Sequence, residues 1–117
     1  MTYMLLVMEA RGRRDGRPAE HAQEECEAMN AFADSLKTRG VHLASQSLRC
    51  LTDGTRVETS GGKPRVVDGP FAEAKELVGG FFLLDVATRE QAVAVAAECP
   101  AAEWASIEVR EVGPCTG

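Results

Sequence analysis

Paired metal ligands are what this sequence most plainly lacks. Cys26, Cys50, Cys99 and Cys115 are scattered without a C-x-x-C pair, and the only histidines, His21 and His42, lie far apart. Zinc sites ask for closely spaced pairs of such residues, so no metal is expected, and no other cofactor. The cysteines read as free thiols in a reducing cytosol, three in apolar contexts and Cys115 in a tail. Basic charge is not in excess either. A formal net charge of −5 argues against a nucleic-acid or anionic-membrane partner, which would ask for a clustered basic face. No apolar run is long enough to span a bilayer. The run from Met1 to Met8 stops at Glu9 and has no basic leader, so it reads as neither a signal peptide nor a membrane span, and a cytoplasmic protein is expected. Ser-His-Asp, Cys-His and phosphate-loop patterns are missing, as are short repeats and low-complexity segments.

What remains is an ordinary globular composition, with 44% apolar and 26% charged residues in 117 positions. That length fits one domain over residues 1–117 and buries enough surface to fold without staples. Arg11, Arg13, Arg14 and Arg17 form the one basic run. In a Gly-containing loop such a run reads as solvated.

The apolar run Tyr3–Met8 predicts a strand covered on both faces. After the loop, Pro18 suits a first helical turn. Ala22, Cys26, Met29, Phe32, Ala33 and Leu36 then recur at steps of three and four, the pattern of an amphipathic helix that Gly40 closes. Val41–Leu48 reads as a second strand. Arg56–Thr59 and Pro64–Val67 read as the arms of a surface hairpin, with Gly61-Gly62 at its turn. Leu77–Val86 is the most apolar strand. Thr88 with Gln91 predicts a capping box for a second helix, whose apolar face is Ala92, Val93, Val95, Ala96 and Cys99 and which Pro100 ends. Trp104 opens a last strand through Val112, and a frayed tail follows it. Strand, helix, strand, hairpin insert, strand, helix, strand is the α+β, ferredoxin-like βαββαβ plan.

The strand Leu77–Val86 decides the expected assembly. Phe82, Leu84 and Val86 share one face with Val78, and Leu77, Phe81 and Leu83 share the other. Helices of the same chain can cover one apolar face. The second needs another sheet, which points to a homodimer. Gly79-Gly80 inside the strand suggests a bulge or a close approach.

Before that strand stands Asp68-Gly69-Pro70-Phe71-Ala72-Glu73-Ala74-Lys75-Glu76. Asp68 is the best single candidate for chemistry, as a general base if its carboxyl is desolvated. The same carboxylate also suits a turn, where it would accept from backbone N–H groups. Phe71 reads as core or pocket wall. Lys75 and Glu76 are candidates to orient a polar ligand, or form exposed pairs of little weight. Tyr3 and Arg110, on different strands, are candidates to meet near a pocket.

The D-G-P-F block, the A-E-A-K-E that follows it and the run L-V-G-G-F-F-L-L-D-V resemble the YCII-related family with the DGPF motif. The similarity extends to Tyr3-Met4-Leu5-Leu6, Gly40-Val41, the hairpin and Ser106-Ile107-Glu108-Val109-Arg110. That resemblance implies a dimeric α/β barrel, two four-stranded sheets packed face to face with a pocket beside each. It implies no established activity. The wider superfamily includes cofactor-free monooxygenases and lactone isomerases. YCII proteins proper look like enzymes with a His-Asp pair, the His on the first helix, but the matching region around Met29 and Asn30 has no His. The resemblance therefore leads to a binder of a small polar molecule, of unassigned activity, with a pocket beside the DGPF segment, and a cofactor-free enzyme is one form it allows. The alternative it implies is a non-catalytic regulatory partner of an extracytoplasmic-function sigma factor.

Overall fold

Strand β1, Thr2–Ala10, alternates strictly: Tyr3, Leu5, Val7 and Glu9 are buried while Met4, Leu6 and Met8 are half-buried. It is the strand on which the molecule is assembled. The computed structural model describes residues 1–71 and 73–117; Ala72, in the Asp68–Glu76 stretch, lies outside the described residues. The remaining elements are α1 (Ala19–Thr38), β2 (His42–Ser47), β3 (Thr55–Ser60), β4 (Lys63–Asp68), β5 (Glu76–Asp85), α2 (Arg89–Glu98) and β6 (Ser106–Glu111). The main sheet has the order β2-β5-β1-β6 with every neighbouring pair antiparallel, which is the ferredoxin-like α+β arrangement. The hairpin β3-β4 forms a separate two-stranded sheet. Among the described residues no helix is long and apolar enough to cross a membrane.

Local chemistry explains the element ends. Pro18 occupies the N-cap position of α1 with φ −58, and Gly40 follows the helix at φ 74, a conformation a side chain would resist. Thr88 and Gln91 form the complete capping box of α2. Gly61 and Gly62 both have positive φ, which a tight two-residue hairpin turn needs.

Both helices pack on one face of the sheet. Tyr3, Leu5 and Val7 of β1 and Phe82 and Leu84 of β5 meet Phe32 and Leu36 of α1 and Ala92, Val95 and Ala96 of α2. Phe32 and Phe82 stack edge-to-face with ring centroids 5.2 Å apart. The other face is a stripe of cross-strand pairs, Met4 against Leu83 and Leu6 against Phe81, all half-buried.

The two faces of β5 are not divided as periodicity alone predicts. The register with β1 passes from Val7–Gly80 to Met8–Val78, so Gly79 is an extra residue, a β-bulge. One extra residue inverts side-chain parity before it. Leu77 therefore lies opposite Glu9 on the helix-covered side, and Val78 lies opposite Met8 on the open side, the reverse of the expected assignment. Cys26, expected in an apolar context, is exposed, whereas Cys99 is buried; none of the four cysteines is disulfide-bonded. Val93, expected on the apolar face of α2, is 41% exposed.

Candidate functional site

Two carboxylates sit where the packing pattern calls for apolar side chains. Glu9 continues the inward series Tyr3, Leu5, Val7, and Glu25 lies on the buried stripe of α1 with Met29, Phe32 and Leu36; both are buried. A buried carboxylate is costly unless it is paired and hydrogen-bonded. Here the partners come from the loop between β1 and α1.

Arg14 grips Glu9 bidentately, Nε donating to Oε2 at 2.8 Å and Nη2 to Oε1 at 3.0 Å. Its Nη1 donates to the Leu48 carbonyl at 2.7 Å and Nη2 to the Gly79 carbonyl at 3.2 Å. The hydrogen bond that Arg14 donates to Glu9, working against burial, raises the guanidinium above its ordinary value. Arg13 donates Nη1 to Glu25 Oε1 at 2.8 Å and pairs through Nη2 with Oε2. Arg17 Nη1 donates to Oε1 at 2.7 Å, and His21 Nε2 stands 3.4 Å from Oε2. The Arg13 guanidinium also lies over the Trp104 ring, 5.4 Å from its centroid. The basic run is thus not a solvated loop: Arg13, Arg14 and Arg17 fold back onto carboxylates buried in the sheet and the helix.

The bulge makes room for this. A Cβ on Gly79 would sit 2.5 Å from Glu9 Oε1 and 3.0 Å from Arg14 Nη2, so any larger residue opposite the ion pair would have to displace it.

Around these pairs lies a cleft of about 450 Å³ between α1 and the sheet. Val7 and Phe82 form its floor, Met29 and Trp104 line its apolar side, and Ser45 and Asn30 offer neutral hydrogen-bonding groups. The Ser45 hydroxyl is 2.8 Å from His42 Nε2, because a bulge at Leu43 brings the two side chains onto one face of β2. A hydroxyl held against an imidazole can relay a proton at Ser45. On the far side of the Glu9–Arg14 pair is a smaller cavity of about 140 Å³, lined by Cys50, Thr52, Pro70 and Leu77. Hydrogen bonds from Thr52 pull the Cys50 thiol below its usual range. The ion pair belongs to both linings and is the wall between them. Among the described residues no cluster of His, Cys, Asp and Glu could hold a metal.

The residues singled out from sequence are placed elsewhere. Asp68 is exposed at the end of β4, its Oδ1 accepting from the Thr55 hydroxyl at 3.1 Å. The Gly69–Pro70 peptide that follows is cis. Phe71 is buried, with the Arg56 guanidinium 3.9 Å from its ring centroid, and Arg56 pairs with Glu73. Lys75 and Glu76 are exposed, and the Lys75 carbonyl accepts from the Arg11 N–H at 2.9 Å. Tyr3 is in the core. Arg110 lies opposite Met4, on the other face of the sheet, so the two do not meet. Of the Asp68–Glu76 segment, Pro70 touches the smaller cavity and none of Asp68, Phe71, Lys75 and Glu76 lines either one.

Burial alone would push the Glu25 carboxyl up, but hydrogen bonds from Arg13 and Arg17 hold it below its ordinary value. A carboxyl whose folded pKa is depressed stabilises the fold above its unfolded value, and that contribution is lost as pH falls through the folded one. Stability should therefore decline from roughly pH 4.3 downward, the ordinary glutamate value, and Glu25→Gln should flatten that acid limb. Urea melts across the acid range check this.

The family model of the YCII-related domain matches residues 1–116. No curated protein matches the chain.

Proposed function

The chain belongs to the YCII-related family, and on that premise we propose that it binds a small polar organic molecule in the cleft between α1 and the sheet. The observation that supports this reading is the cost of the cleft's construction. Two buried carboxylates, three arginines and a bulge whose glycine leaves room for the ion pair are concentrated at one concave place. A fold that needed only stability would fill such positions with apolar side chains at no loss. Clefts of this volume that combine apolar walls with fixed polar groups are where small ligands bind. Free cysteines fit a reducing compartment, and the reading takes the protein as cytoplasmic.

Trp104 is the sole tryptophan and lines the cleft, so its fluorescence reports on occupancy. Titrating a panel of small aromatic and aliphatic acids, amides and alcohols should give a saturable change with at least one of them. A flat response across the whole panel would sink the reading.

The proposal includes a homodimer. Met4, Leu6, Phe81 and Leu83 form an apolar stripe on the face opposite the helices, and a second copy would cover it isologously. Light scattering at micromolar concentration should give twice the mass of one chain; a monomer mass would remove this part. A second reading, a regulatory protein partner such as a sigma factor, draws on the hairpin. There Val57 and Val66 pair across the strands and are 68% and 67% exposed, an apolar patch suited to a protein contact.

A further inference from the structure

The charge balance of the cleft narrows the ligand class, and this inference rests on the cleft being the binding site. The Glu9–Arg14 pair is closed: one carboxylate faces one guanidinium, two of whose other donors go to the Leu48 and Gly79 carbonyls. The Glu25 group is not balanced. Its single carboxylate faces two guanidiniums, Arg13 and Arg17. Arg13 commits both terminal nitrogens to Glu25 and lays its plane over Trp104. Arg17 gives Glu25 one N–H through Nη1, while its side chain is 24% exposed and lines the cleft. A guanidinium carries five donors in a fixed fork that matches a carboxylate, so four of the Arg17 donors are unspent among the described residues.

We infer that the cleft takes an organic anion, a carboxylate with a small apolar body, and that Arg17 is the residue that selects its charge. Glu9 and Glu25 are the only acids lining the cleft among the described residues, and both are neutralised by arginine, so no free negative charge repels the ligand. The apolar body lies along Met29, Phe82 and Trp104, and Ser45 and Asn30 serve its neutral polar substituents. A cationic ligand is disfavoured because both acids that could pair with it are already held by arginine. The positive surplus of the Arg13–Glu25–Arg17 group borders the cleft inside a chain of net charge −5, so the field that draws an anion is local.

Three probes of one shape test this: benzoate, benzamide and benzylammonium, each titrated against the full chain and followed by Trp104 fluorescence. Benzoate should bind roughly tenfold or more tightly than benzamide, the worth of one charge-assisted hydrogen bond, and benzylammonium weakest. Arg17→Gln should erase the benzoate preference while benzamide affinity stays within about twofold. Arg17→Lys, which keeps the charge, should retain part of it. Equal affinities in the parent, tightest binding of benzylammonium, or an undiminished benzoate preference in Arg17→Gln overturns the anion assignment while leaving the cleft as a binding site. No response to any of the three overturns the site with it.

Discussion

Replacing Arg14 with Met should destabilise the protein by about 3 kcal/mol, the low end for breaking a buried ion pair. The low end applies because the Arg14 side chain keeps 19% exposure, whereas Glu9 has 6%. The cost lies in what is left behind. Glu9 would keep its charge inside the sheet with its bidentate partner gone, and the Leu48 carbonyl would lose the Nη1 donor. Removing both members of such a pair costs less than removing one, since no charge is then stranded. The double variant Glu9→Leu/Arg14→Met should therefore be more stable than Arg14→Met alone. Urea melts of the three proteins measure this. If the two substitutions add, the pair is not a buried unit.

Gly80→Ala is expected to cost about 2–3 kcal/mol, the upper part of the range for overpacking. Gly80 lies between two strands, opposite Val7 of β1 and Ser47 of β2. An added Cβ would come within 2.8 Å of the Gln46 carbonyl oxygen and 3.4 Å of the Ser47 Cα. Both are backbone atoms, and backbone inside a hydrogen-bonded ladder cannot retreat without separating β2 from β5. Gly79→Ala meets the far end of the Glu9 side chain instead, which can rotate at the expense of its salt bridge, so it should cost less. Thermal melts rank the two variants, and hydrogen exchange at Gln46 and Ser47 should accelerate in Gly80→Ala. A Gly79→Ala variant less stable than Gly80→Ala would contradict the assigned contacts.

The elements of the fold were legible because each carries local chemistry. The apolar run of β1, the Thr88–Gln91 box and the Gly61-Gly62 turn all stand where the residues predict them. The candidate site was hidden by its long-range character. Nothing local says that Arg14 should reach Glu9 or that Arg13 and Arg17 should converge on Glu25. Yet a signal was present. Glu9 falls two residues beyond Val7 on the inward face, and Glu25 falls four residues before Met29 and seven before Phe32 on the buried stripe. Two acids on buried stripes, separated by a run of arginines, predict internal ion pairs rather than a solvated loop. The Leu77 and Val78 assignment failed for a different reason. A bulge inverts parity without a sequence mark stronger than Gly79-Gly80, and the position of the extra residue is set by its partner strand. Asp68 stands in a distinctive segment, but the sheet geometry leaves it exposed against Thr55.

The central claim is that the ligand site is the cleft walled by the two buried carboxylates and not the turn at Asp68. Amide chemical shifts recorded while benzoate is added test it most directly. Shifts concentrated at Arg17, Met29, Ser45 and Phe82, saturating together, are the expected result. Shifts confined to Thr55, Asp68 and Gly69, with the cleft amides unmoved, would contradict it.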